Sequence, residues 1–177
     1  MIMKSKILLT SFQTWLDHHQ SNSSDDLLEL FEQQSFPDLS LFFLRHLPVN
    51  TPLASEQVIS KIQTIKPDAI ICCGMAESRK KLTIEVNATC NHDCLYTSVN
   101  IAELTTKLTM TAISQDAGKF VCEGLYYQVL KHTQSLYKAI PCLFVHVPIL
   151  NESNLNLIQQ DFHLIIEYID KECNIHY

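Results

Sequence analysis

Glycine is scarce in this chain, with three among 177 residues. Neither a Gly-rich phosphate loop nor Gly-x-Ser-x-Gly occurs, which excludes the usual nucleotide cradle and serine-hydrolase elbow. Long apolar runs are also missing: no window reaches the roughly 20 residues that span a bilayer. The stretch Met1 to Thr10 has two lysines and a short run, Ile7-Leu8-Leu9, but neither the longer apolar segment nor the small-residue cleavage site of a signal peptide. A cytoplasmic location follows as the expectation, with no membrane partner. Basic residues are outnumbered, 13 Lys and Arg against 19 Asp and Glu, and they are scattered rather than gathered into a stripe that could track phosphates. Nucleic acid is therefore not an expected partner. The seven cysteines, an odd count, argue against a fully paired disulfide framework and fit reduced thiols.

What is present is a chain in the size range of one domain, 46% hydrophobic, enough to bury a continuous core; residues 1–177 are expected to form one unit. Short apolar runs alternate with segments of helical period, the pattern of an α/β sandwich with a mostly parallel sheet. Strands are predicted at Lys6 to Thr10, Leu41 to Leu47, Ala69 to Cys73, Leu82 to Val86, Met110 to Ile113 and Cys142 to Val147. Helices are predicted at Asp25 to Gln34, Ser55 to Ile65, Val99 to Leu108, Phe120 to His132 and Leu155 to Cys173. Lys66-Pro67-Asp68 breaks the second helix, and Ala69 to Cys73, wholly apolar, has the composition of a strand covered on both faces. Gly74 and Gly118 fall at strand-to-helix junctions, where turns need positive φ or close backbone approach.

Cysteine chemistry has one good location. Cys122 follows Ala117-Gly118-Lys119-Phe120-Val121, where a glycine turn feeds a helix, so its thiol and its N–H would sit at the positive end of the helix dipole. That N–H is also a natural oxyanion donor. His146 ends a strand just before Pro148 and can project from the carboxyl edge of a sheet, where open α/β folds place ligands. Glu85 ends Leu82-Thr83-Ile84, where a carboxylate could fix an imidazole tautomer. Taken singly, each has a plainer reading as a buried thiol, a structural histidine or an exposed strand-end glutamate. A rival grouping is Cys90-Asn91-His92-Asp93-Cys94, to which Cys72 and Cys73 could be added. The three residues between Cys90 and Cys94 fall within the range of zinc sites, but no second Cys/His pair at finger-like spacing follows, and a plain polar loop with reduced thiols is the alternative. His18, His19, His46, His132, His163 and His176 show no ligand spacing, and solvated or helix-surface roles suffice for them.

Together these segments resemble the pyroglutamyl peptidase I family, also called pyrrolidone-carboxylate peptidases, and they occur in the family's order. The resemblance runs through Ile7-Leu8-Leu9-Thr10-Ser11-Phe12, Leu47-Pro48-Val49, Lys66-Pro67-Asp68-Ala69-Ile70-Ile71 and Gly74-Met75-Ala76-Glu77-Ser78-Arg79. Glu85 stands six residues after that arginine. The most specific stretches are Ala117-Gly118-Lys119-Phe120-Val121-Cys122 and Phe144-Val145-His146-Val147-Pro148. The resemblance implies a three-layer α/β/α sandwich of the phosphorylase/hydrolase-like type. It further implies a cysteine peptidase that uses Cys122 as nucleophile, His146 as general base and Glu85 as orienter, with no metal or cofactor. Phe12, Trp15, Met75 and Phe120 then surround the lactam ring of a small peptide substrate, and a homo-oligomer is compatible with the family.

Departures from the family pattern keep a second reading open, a retired enzyme kept as a binding module. Met75 replaces a glutamine, Glu77 and Ser78 replace paired glycines, and Glu123-Gly124 replaces Asn-His after the nucleophile. Glu123 is expected to disfavour a thiolate if it points inward. The chain is also shorter than usual for the family between Asn87 and Leu95 and around Leu108 to Ile113.

Overall fold

Strands with both faces apolar must be covered on both sides, and this sequence supplies helices for each. The computed structural model describes residues 4–175, so the first three residues of the N-terminal stretch and His176 lie outside the described residues. Six strands form one sheet: β1 (Ser5–Phe12), β2 (Leu39–Leu47), β3 (Ala69–Met75), β4 (Leu82–Glu85), β7 (Thr111–Ser114) and β8 (Cys142–Val147). Their order is β2-β1-β3-β8-β4-β7. Every pairing is parallel except β4 against β8. The expected α/β class with a mostly parallel sheet is what the chain adopts.

Alternate residues of each central strand feed two separate cores. Ile7, Leu9, Ile71, Cys73, Leu143 and Val145 belong to one. On that side the sheet is covered by α1 (Ser23–Glu32), the short α3 (Ile101–Thr105) and α5 (Leu155–Ile175). Leu8, Ile70, Cys72, Cys142 and Phe144 belong to the other, covered by α2 (Thr51–Ile65) and α4 (Val121–Gln134).

Local chemistry sets the helix ends. The Asn50 side chain accepts from Leu53 N–H, and proline follows in the first turn, so α2 begins four residues before its apolar periodicity does. It ends at Lys66 in the left-handed region (φ 49°), at the predicted break before Pro67. Asn22 caps α1 in the same way, through Ser24 N–H. Asn100 caps α3, which is confined to five residues of the ten predicted because β7 follows closely.

A hairpin, β5 (Asn87–Cys90) with β6 (Asp93–Tyr96), stands where the sequence around Asn91-His92 reads as a polar loop. Asn91 takes φ 55°, which suits the tight turn between the strands.

Gly124 lies where α4 meets α2. A Cβ added there would fall 2.6 Å from Thr51 Cγ2 and 2.7 Å from Thr51 Oγ1. Gly→Ala normally stabilises a helix interior by about 1 kcal/mol. Here overpacking dominates, so Gly124→Ala is expected to lower the unfolding free energy by about 1–3 kcal/mol in urea titrations. Adding Thr51→Ala, which removes the two nearest atoms, should restore most of the loss.

Candidate active site

The candidate residues lie at the carboxyl rim of β3 and β8 and the amino end of α4. His146 pairs in register with Gly74 of β3 on one side and with Thr83 of β4 on the other. Because β4 runs against β8, it descends from the rim, and Glu85 pairs with Phe144, two residues deeper than His146. The reversed strand thus puts the carboxylate beneath the imidazole, with Glu85 fully buried and His146 4% exposed. His146 Nδ1 stands 2.8 Å from Glu85 Oε1. That bond fixes the ring and leaves Nε2 as its second functional nitrogen.

Cys122 is the second residue of α4, after an extended N-cap at Phe120 that makes no side-chain cap bond. The turn into the helix relies on Gly118, at φ +90°, with its N–H donating to Asp116 Oδ1 at 3.0 Å. Gly74 serves by lacking a side chain: a Cβ there would come within 2.7 Å of Cys122 Sγ. The thiol therefore rests against the strand residue that is the register neighbour of His146.

Cys122 and His146 line one cavity of about 880 Å³, together with Phe12, Trp15, Met75 and Phe120. All four residues expected around a substrate ring reach it. Phe12 is buried, whereas Trp15 and Phe120 are largely exposed, with ring centroids 5.7 Å apart. Met75 also accepts a long hydrogen bond, 3.4 Å, from Ser23 N–H to its sulfur.

One expectation is corrected. The helix N-terminus does not make Cys122 a ready thiolate: its pKa is pushed up to about 12, first by burial and then by the charges of Glu85 and Cys72. Arg79 and the Cys122 backbone N–H act in the opposite direction and are outweighed. Glu123 does not carry the effect expected of it. Its Oε1 accepts from Thr89 N–H at 3.1 Å and from the Thr89 hydroxyl, which ties it to β5.

Glu85 is charged in this setting. Burial pushes its pKa upward, but hydrogen bonds from His146, Ser114 and Arg79 hold the carboxyl below its ordinary value. Arg79 is the residue that sequence reasoning passed over as part of a motif. Its Nη1 donates to Glu85 Oε1 at 2.5 Å and to the Thr83 hydroxyl, and its Nη2 donates to the Asp116 carbonyl at 2.7 Å. It links the carboxylate under the imidazole to the loop that leads into α4. The six-residue spacing from Arg79 to Glu85 was the available signal.

The cysteine metal grouping does not assemble. Cys72 and Cys73 point into opposite cores, while Cys90 and Cys94 flank the hairpin turn. Among the described residues, the His, Cys, Asp and Glu side chains that converge within metal-ligand reach are instead His18, His19 and Glu77. The surface roles assigned to both histidines need correction for His19, whose side chain is 5% exposed.

A mostly parallel α/β sandwich with a thiol, an imidazole and a buried carboxylate gathered at one rim is the class that fold and site define. The family model for pyroglutamyl peptidase matches residues 95–162, a span that holds Cys122 and His146. The pyrrolidone-carboxylate peptidase of Thermoanaerobacter sp. is 25% identical over 177 residues, covering 85% of this chain and 86% of its own. That of Vibrio vulnificus is 26% identical over 175 residues, covering 83% and 80%. The crystal structure of Bacillus amyloliquefaciens pyroglutamyl peptidase I superposes with a TM-score of 0.83 at 19% identity, over 95% of this chain and 98% of its own. In sequence the chain is similar to pyrrolidone-carboxylate peptidases, and in fold to pyroglutamyl peptidase I. Among its described residues no helix is long and apolar enough to cross a membrane.

Proposed function

We propose that the chain is a cysteine exopeptidase that removes an N-terminal pyroglutamyl or related residue from small peptides through a thioester intermediate. The observation that carries this reading is the 2.8 Å bond from buried Glu85 to His146 Nδ1, in a ring that shares a cavity with Cys122. A thiol with a pKa near 12 is neutral at working pH, so its proton must leave as the sulfur attacks. His146 Nε2 takes that proton while the S–C bond forms at the substrate carbonyl. The Cys122 N–H, in the uncapped first turn of α4, faces the developing oxyanion. The C–N bond then breaks, and His146 returns the proton to the leaving amine. Water next attacks the thioester, His146 accepts its proton, and the S–C bond breaks to release the acid and restore the thiol. Phe12, Trp15 and Phe120 supply apolar faces for a flat lactam ring, and Met75 lines the same cavity with a thioether in place of a side-chain amide. The unit acting is the whole chain as one domain, working in the cytoplasm.

The test is hydrolysis of a pyroglutamyl-coumarin reporter by the wild type and by Cys122→Ala. Release of fluorophore that disappears in the variant is the expected result. No release, together with slow alkylation of Cys122 by iodoacetamide at neutral pH, would leave a binding module in place of an enzyme.

A further inference from the structure

The segment between β1 and α1 brings two adjacent histidines against Glu77, in the loop after β3. His18 Nε2 lies 3.1 Å and His19 Nε2 2.9 Å from the same oxygen, Glu77 Oε1. All three ligand atoms fall within 4.8 Å of one another. Two ligands about 2.1 Å from a tetrahedral zinc ion stand about 3.4 Å apart, so small adjustments would centre a cation among them.

An independent observation concerns His19. Its side chain is only 5% exposed, Nδ1 has no hydrogen-bond partner, and Nε2 has no contact beyond Glu77 Oε1. An unpaired polar group is costly in a buried place, and a cation seated between the ring and the carboxylate would give a ring lone pair a partner there. Imidazole and carboxylate donors together suit borderline cations rather than calcium or magnesium.

We propose that His18, His19 and Glu77 form a binding site for one divalent transition-metal cation of the zinc class on the wall of the cavity. Three protein ligands leave a position of a four-coordinate ion for water or for an oxygen of a bound ligand. Glu77 itself lines the cavity that holds Cys122, so that position borders the space where a ligand sits.

Trp15, the chain's single tryptophan, reports on this site directly, its ring centroid lying 6.3 Å from that of His19. Titrating the full chain with Co²⁺ or Ni²⁺ should quench Trp15 fluorescence and saturate at one equivalent, with Co²⁺ giving the visible ligand-field absorption of a four-coordinate ion. His18→Ala and Glu77→Gln change exposed side chains, so their folding can be verified by circular dichroism even where His19→Ala fails to fold. Each should weaken binding by at least ~10–100-fold, the loss that even an outer-shell partner can bring. Quenching that does not saturate, or that persists unchanged in both folded variants, would overturn the site. A cobalt–thiolate charge-transfer band that survives Glu77→Gln and vanishes in Cys90→Ser/Cys94→Ser would overturn it as well, by moving the metal to the hairpin. These readouts do not depend on peptidase activity.

Discussion

Glu85→Gln is expected to lower kcat on a pyroglutamyl reporter by about 10⁴-fold while changing KM little, by analogy with the loss when a triad carboxylate becomes an amide. The amide keeps the volume of the buried side chain but no longer forces Nδ1 to carry the proton. Nε2 then spends most of its time protonated and cannot accept from Cys122, whose pKa near 12 makes it dependent on a base. Glu85 is fully buried beneath His146, which separates an orienting role from a binding role in the kinetics. Steady-state measurements of kcat and KM check this, and a loss below about tenfold would remove Glu85 from the mechanism. Arg79 shares Oε1 with the imidazole, so this substitution also removes the guanidinium's charged partner while its bonds to Thr83 and Asp116 remain. A parallel measurement of thermal unfolding separates that effect from the catalytic one.

Arg45→Met is expected to cost about 3–5 kcal/mol of stability at neutral pH, the range for stranding a buried partner charge. Asp25 sits in the first turn of α1 and is 6% exposed. It accepts from Arg45 Nε at 3.0 Å, Arg45 Nη2 at 2.8 Å and Ser11 Oγ at 2.6 Å. Arg45 reaches it through an irregularity in β2. Between the pairs Thr10↔Leu44 and Phe12↔Leu47, β2 has one residue more than β1, and His46 takes φ 58° there.

Burial raises the Asp25 pKa, but the Arg45 and Ser11 hydrogen bonds and the charges of Arg45 and His46 more than offset it, leaving the carboxyl below its ordinary value. A group with a lowered folded pKa contributes stability that is present above the unfolded value, near 3.9, and lost as pH falls through the folded value. The gap between wild type and Arg45→Met should therefore be widest at neutral pH and narrow in acid, where Asp25 is neutral in both. Urea titrations at the two pH values check this. A gap independent of pH would mean that Arg45 acts through packing alone.

The sheet was readable because its central strands carry apolar residues on both faces, so composition alone marks them. Ala69 to Cys73 and Cys142 to Val147 were placed with their ends within two residues. The catalytic candidates could be named for a different reason: a glycine turn before Cys122 and a proline after His146 are local signals of special backbone. Three features were not readable. The hairpin at Asn87 to Tyr96 has mixed polarity and rests on α4 rather than on its own alternation. The acidity of the Cys122 thiol depends on burial, which a helix-end argument does not contain. The cluster of His18, His19 and Glu77 joins adjacent residues in a loop to one 58 positions beyond His19, so no ligand spacing could announce it.

The bond between Thr89 and Glu123 has a consequence for how the site tolerates change. Two donors on the hairpin anchor a carboxylate that sits one residue from the nucleophile. The hairpin therefore sets where that carboxylate stands on the cavity wall it shares with Cys122, and its seating on the helix decides how much negative field the sulfur feels. Loosening β5, even far from the reacting atoms, would raise the electrostatic barrier to thiolate formation without touching any residue that handles the proton.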